Sequence, residues 1–215
     1  MTALPEIIAQ MDTEITLPVL PKMTYEEFLD WSDEDKHAEW NNGEVLLYMT
    51  ASALHQRIVI FLIRLIQGFA DLNDLGEVFT APMQIRLTKS GREPDVFFVI
   101  KSNLDRVNEK FFAGPPDLVI EVISDESVSR DRIDKFEEYE DAGVAEYWII
   151  DPRPHRRRAD FYILGADGKY QPVPLTAEGV YRSTVLPGFW LNVNWLWAEP
   201  LPKLMPTLKE IGVGS

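Results

Sequence analysis

Apolar and polar positions along the chain fall into segments of two periods. Between Ser52 and Leu72, Ile58, Phe61, Leu62, Leu65, Ile66 and Phe69 recur at intervals of three and four, which predicts one long amphipathic helix. Ser129–Ala142 carries a second helical pattern, with Ile133, Phe136 and Tyr139 on one face and Gly143 as its stop. Thr24-Tyr25-Glu26-Glu27 has capping-box spacing, so a short acidic helix is expected from Tyr25 into Asp33–Lys36. The strands are shorter. Asn41-Asn42-Gly43 signals a turn ahead of Glu44–Met49, and strands at Val78-Phe79 and Met83–Leu87 follow the break at Gly76. Asp95–Ile100, Asp117–Ile123 and Glu146–Asp151 are apolar almost throughout, as in strands covered on both faces. Ser90-Gly91-Arg92 reads as a turn, and Lys101–Gly114 as a polar connection with a helical turn or two.

Strand, helix and strand over Asp117–Asp151, with a crossover of about twenty residues, predict a βαβ unit and a partly parallel sheet. Shorter β-like pieces follow at Ala159–Leu164, Tyr170–Val173 and Val180–Thr184, then Trp190, Trp195 and Trp197. The expected organisation is an N-terminal arm over 1–21, one α/β domain over 22–200 and a C-terminal tail over 201–215. Within the domain, a central mixed β-sheet is flanked by helices.

Composition supports a packed core, with 46% apolar and 11% aromatic residues. The absence of cysteine excludes disulfides, thiolate metal sites and cysteine nucleophiles. No apolar run reaches the ~18 residues of a membrane span, and Arg64 breaks the most apolar stretch, Ile58–Ile66. The N-terminus lacks a basic lead and carries Glu6, Asp12 and Glu14, so it does not read as a secretion signal. A cytoplasmic protein with no membrane partner is expected. The net charge of −14 counts against a nucleic-acid partner, because phosphate contacts come mainly from Lys and Arg. Residues 1–50 hold 11 Asp/Glu against 2 Lys/Arg, and residues 51–215 hold 24 against 19, so most of the imbalance is N-terminal. Apolar content that looks exposed in residues 1–21 and Phe189–Ala198 predicts a homodimer.

Glu121 is the most informative polar position. It stands in an apolar strand, where a carboxylate needs a metal, a cation or hydrogen bonds to compensate its burial. Alternation puts it on the face of Val119 and Ile123; the competing reading is a half-exposed strand-end glutamate or an arginine pair. Asp95 opens its strand after Pro94 and can face an acidic neighbour on an adjacent strand, though a strand-initiating aspartate is common there. Two carboxylates brought together favour a divalent cation, and oxygen-only ligands favour Mg2+ or Mn2+. Lys135 lies about one turn into the following helix, on the side of Asp131 and Tyr139. It can orient an attacking water and offset phosphate charge, or simply pair with Asp131. Asp117, roughly 13 Å from Glu121 along an extended chain, fits a cap at the strand entrance better than a ligand. Ser124 lacks a nucleophile-elbow pattern, which leaves a serine hydrolase poorly supported. Arg130, Arg132 and Arg156–Arg158 fit phosphate contacts and surface ion pairs equally.

Taken together, Glu93-Pro94-Asp95-Val96, the run Pro116–Ser124, Asp131-x-x-x-Lys135 and the run Ala142–Pro152 resemble the Uma-type restriction endonuclease family. That family is abundant in cyanobacteria and falls in the PD-(D/E)XK nuclease superfamily. Met23–Phe28 and Asn42-Gly43-Glu44 extend the resemblance over roughly residues 22–165. It implies a restriction-endonuclease-like fold and hydrolysis of DNA phosphodiester bonds by metal-activated water, with Mg2+ or Mn2+ as cofactor. It matches Asp95 and Glu121 to the metal carboxylates and makes the backbone carbonyl of Val122 a further ligand. The superfamily signature would place a lysine two residues after Glu121, where this chain has Ile123; Lys135, from the following helix, takes that role. Glu44 matches an acidic position of the early strand and extends the site, with Glu39 as a competing candidate. His55 and Gln56 open the long helix as accessory positions. The acidity, the Trp-rich C-terminal stretch and the lack of a DNA-reading element also fit a non-catalytic binding or assembly module that retains the fold.

Overall fold

Local rules account for most elements of the computed structural model, which describes residues 22–32, 38–47, 52–124 and 133–212. The arm at 1–21 and the expected boundaries at Asp33–Lys36, Met49 and Ser129 lie outside the described residues. Helix α1 (Tyr25–Trp31) starts on the predicted capping box, in which Thr24 and Glu27 satisfy each other's backbone N–H. Strands β1 (Ala38–Asn41) and β2 (Glu44–Leu47) form a hairpin whose turn, Asn42-Gly43, holds φ at 48° and 91°. That two-residue turn with both φ positive suits Asn-Gly. Helix α2 (Ala53–Asn73), capped by Ser52, buries all six positions of its predicted apolar stripe.

Then follow β3 (Gly76–Phe79), β4 (Gln84–Arg86), β5 (Ser90–Arg92), β6 (Val96–Ile100), β7 (Phe111–Ala113) and β8 (Leu118–Val122). Helix α3 (Lys135–Ala142) ends on Gly143 in the left-handed region, with φ 89°. It is followed by β9 (Glu146–Asp151), β10 (Arg158–Leu164), β11 (Tyr170–Pro172), β12 (Val180–Arg182), β13 (Trp190–Asn192) and α4 (Leu204–Ile211). The larger sheet has the order β11-β10-β9-β8-β6-β3, and among the described residues its one parallel pairing joins β8 to β9 across α3. This is the mixed sheet expected from the βαβ pattern. A second sheet runs β2-β1-β5-β4-β7, and β12 pairs with β13.

The larger sheet is buried on both faces, which is why its central strands lack alternation. Ile58, Leu62, Leu65 and Ile66 of α2 pack on the face bearing Val96, Phe98, Ile120, Val122 and Trp148. On the other face Phe97, Val119, Ile123 and Ile149 meet Tyr139 of α3 and Ile85 and Phe112 of the second sheet. By length and composition alone α2 is apolar enough to cross a membrane, yet half of that stretch is buried in the core.

Four expectations change. Ser90–Arg92 is a strand rather than a turn, because it pairs with both β1 and β4, and Gly91 leaves room for the Tyr25 ring against its backbone. Ile133 is exposed: residues 133–134 form a wider turn that rotates it out of phase with Phe136 and Tyr139. Residues 204–211, read as tail, form α4, whose Leu208 and Ile211 join the α2 core. In Phe189–Ala198, Phe189, Leu191, Val193 and Leu196 are buried and the half-buried tryptophans pack against them, so less of that stretch is exposed than its apolar content suggests.

Candidate active site

The strand ends of β6 and β8 carry the predicted carboxylates. Their antiparallel register puts Val96 opposite Ile120, and one further step sets Asp95 beside Glu121. Glu121 faces the α3 side with Val119 and Ile123, as alternation predicts. The buried Lys135 donates to Glu121 Oε1 at 2.9 Å, and the Tyr139 hydroxyl donates to the same oxygen at 2.9 Å. Lys135 and Tyr139 are four apart on α3, so one helix face brings both down on Glu121. Asp95, at 23% side-chain exposure, is the more open carboxylate. Its Oδ2 accepts the Val122 N–H at 2.8 Å and lies 3.2 Å from His55 Nε2 at the start of α2.

The structure brings Glu39 into this cluster and leaves Glu44 out. Glu44 stands at the hairpin tip, opposite Asn41, with an exposed side chain 2.9 Å from Lys22 Nζ. Glu39 lies on the buried part of β1, its Oε1 3.0 Å from Lys135 Nζ. On β5, Trp40 pairs with Gly91, so the register sets Glu39 across from Arg92, whose Nη1 donates to Glu39 Oε2 at 2.9 Å. Arg92 also makes a two-pronged contact with Glu138 of α3, at 2.8 and 2.7 Å. Burial works against the Arg92 charge, but the bonds to Glu138 and the charges of Glu39 and Glu138 hold its pKa above the ordinary arginine value. Lys135 therefore joins two buried glutamates on strands of different sheets.

Gln56 is exposed, and Asp117 serves the far end of β8, accepting from the Ile100 N–H and Asn103. Val122 presents its N–H to Asp95 while its side chain fills the core. Arg157 and Arg158 make surface contacts with Glu199 and Asp160; Arg130 and Arg132 lie outside the described residues. Sequence reasoning passed over Arg92, Glu93 and Glu138. Glu93 stood inside the motif quoted with Asp95, but nothing local shows that its N–H donates to Glu39 Oε1 at 3.2 Å or that Gln84 donates to its carboxyl at 3.2 Å. Burial pushes the Glu93 carboxyl up to about 8, with the Gln84 bond opposing and the Glu39 charge adding to the rise. Burial likewise raises the Tyr139 hydroxyl far above its ordinary value, so it stays a donor to Glu121.

In formal charge, Glu39, Asp95, Glu121 and Glu138 face Lys135 and Arg92, a net of −2 with Glu93 protonated. Among the described residues no group of three or more His, Asp and Glu side chains is arranged to hold a metal ion. Asp95 and Glu121 stand across from each other by register, and Asp95 is partly open to solvent; a carboxylate pair of this kind suits Mg2+, which is ordinarily held by one or two carboxylates with water and substrate completing its shell.

A mixed sheet flanked by helices, with carboxylates and a lysine gathered at the ends of its central strands, defines a restriction-endonuclease-like domain. The chain belongs to the Uma2 family, described as "Putative restriction endonuclease", whose model matches residues 25–194 and so spans Glu39, Asp95, Glu121 and Lys135. Membership points to nuclease activity, and restriction-endonuclease-like families generally use divalent metals. Among solved structures, a chain from Anabaena variabilis ATCC 29413, described as a "putative nuclease belonging to DUF820", matches with a TM-score of 0.67. The two share 16% identity over 81% of this chain and 97% of that one, so the likeness is one of fold. Comparison with curated proteins gives no match.

Proposed function

We propose that the chain is a Mg2+- or Mn2+-dependent endonuclease that hydrolyses DNA phosphodiester bonds. The observation that carries this reading is the placement of Asp95 beside Glu121 with Lys135 2.9 Å from Glu121 Oε1. Asp95, Glu121 and the Val122 carbonyl are the groups that would hold the cation. When bound, such an ion supplies positive charge to the phosphate and lowers the pKa of water. Lys135 fixes the Glu121 carboxylate and presents an ammonium where negative charge develops on the phosphate. Tyr139 holds the same oxygen, and His55 with the Val122 N–H holds Asp95 in place. Each carboxylate is thus oriented before substrate arrives.

Purified protein incubated with supercoiled plasmid and Mg2+ or Mn2+ is expected to nick or linearise it. Asp95→Ala and Glu121→Ala are each expected to lower the rate at least about a hundredfold, a size common for loss of a group that stabilises transition-state charge. No cleavage by the parent chain, or equal cleavage by these variants, defeats the proposal.

One observation favours a second reading. Lys135 pairs with both Glu39 and Glu121 from within the protein, as in a purely structural ion network, and a domain keeping that network could serve binding or assembly alone. Titration calorimetry with Mn2+ separates the two. Binding that disappears in Glu121→Ala supports the nuclease; no heat above dilution supports the assembly module.

A further inference from the structure

A cationic groove runs between α2 and the segment entering α4, with a volume of about 880 Å3. Its walls carry Arg57, Arg64 and Lys203 against one carboxylate, Glu199, in a chain whose net charge is −14. All three cations are exposed, and among the described residues none of them pairs with a carboxylate. Arg57 and Arg64 lie seven residues apart on one side of α2, roughly 10 Å along its axis.

One end of the groove lies beside the carboxylate site. At one end its wall includes Leu54, the neighbour of His55, whose ring meets Asp95. On the other wall Glu199 lies 3.6 Å from Arg157 Nη2. Arg157 belongs to the turn from β9 into β10, which leaves the sheet after Asp151. Because β9 runs parallel to β8, that turn leaves the same sheet edge at which Glu121 and Val122 stand. Arg156, exposed in the same turn, adds a cation that no described carboxylate pairs.

We propose that one strand of a DNA duplex lies along this groove, with its phosphates on Arg57, Arg64 and Arg156. The inference rests on the nuclease reading and says how the substrate backbone is led to Asp95. Arginine's planar donors match phosphate oxygens in pairs. The floor, formed by Ile60, Phe61 and Leu201, suits the C–H edges of deoxyribose, which ask for no hydrogen-bond partner. The groove also answers the objection raised by the overall acidity, since the negative charge is concentrated in residues 1–50 and the cations line the approach to the site.

Phosphate contacts release counterions, so they appear in the salt dependence of binding. The test is fluorescence anisotropy of a labelled duplex oligonucleotide with the full chain, in chelator so that nothing is cut, from about 50 to 200 mM salt. The double variant Arg57→Ala/Arg64→Ala is expected to bind more weakly, with a slope of log affinity against log salt shallower by about 2, one for each lost contact. Arg57→Lys/Arg64→Lys keeps the charges and is expected to keep the slope. Arg182→Ala, at an exposed position of β12, is expected to change nothing. An unchanged slope in the double alanine variant, or no binding by the parent chain at the lowest salt, overturns the inference. Plasmid cleavage by the parent with an unchanged slope removes the groove and leaves the nuclease reading standing. A shallower slope without cleavage under any metal does the reverse.

Discussion

Glu93 shows how a single buried residue ties the site to pH. Burial raises its pKa from the usual carboxylate value of 4.5 to about 8. The folded chain keeps that proton up to about pH 8, while the unfolded chain releases it near 4.5. Between those values the folded state binds more protons, so stability falls as pH rises, by at most about 1.4 kcal/mol per pH unit. Glu93→Gln has no proton to lose. Its stability relative to the parent is expected to grow across that interval and level off above it, as urea denaturation at stepped pH would read; superimposable profiles would clear Glu93 of the effect. Lys135 lives at the same scale. Lys135→Ala leaves Glu39 and Glu121 buried without their shared cation, a loss of about 3–5 kcal/mol by chemical denaturation. A loss below about 1 kcal/mol would mean that Arg92 and Tyr139 satisfy those carboxylates unaided.

Between elements, contacts rather than propensities set the positions. Helix α1 lies on the second sheet through Tyr25, whose hydroxyl donates to Gln84 Oε1, and Gln84 in turn donates to Glu93. The helix therefore touches the site at third hand. Its seat depends on Gly91: a methyl there would overlap the Tyr25 ring and stand 2.9 Å from Gln84 Oε1. Gly91→Ala is expected to cost about 1–3 kcal/mol. A thermal midpoint equal to the parent's would show that α1 moves aside at no cost. A related division of labour governs Glu146 on β9. Its Oε1 accepts the Trp148 indole N–H, and its Oε2 accepts from Ser183, the Thr184 backbone and hydroxyl, and Val185. That glutamate pins the chain beyond β12 to the sheet, far from the chemistry, although in sequence it looks much like Glu121.

At the scale of the whole molecule, α4 and α2 form one layer over the larger sheet. Leu208 of α4 packs against Gly68 of α2, where a larger residue would hold the helices apart. Leu208→Ala is expected to lower global stability by about 2–5 kcal/mol, in one cooperative transition. A separate early transition would instead mark residues 204–211 as an independent appendage. Much of this architecture was legible beforehand. The βαβ unit, the α2 stripe, the α1 cap and the Asn-Gly turn all follow from local periodicity or turn chemistry, which the chain carries within a few residues. Strands of three or four residues were less legible. Ser90–Arg92, Phe111–Ala113 and Trp190–Asn192 are too short to show a period, and only their partners make them strands.

The same boundary runs through the site. Local sequence marked Glu121 and, less strongly, Asp95, because a carboxylate in an apolar strand and another at a strand opening are conspicuous where they stand; Lys135 entered through the family resemblance, since a helix lysine near Asp131 reads equally as a surface pair. Local sequence could not choose between Glu39 and Glu44, five residues apart in one hairpin. That choice was made by register: β1 sets Glu39 across from Arg92 and beneath Lys135, while the turn carries Glu44 out to Lys22. Charge pairing between buried groups acts over ångströms of space but dozens of residues of chain, and only tertiary structure brings those residues together.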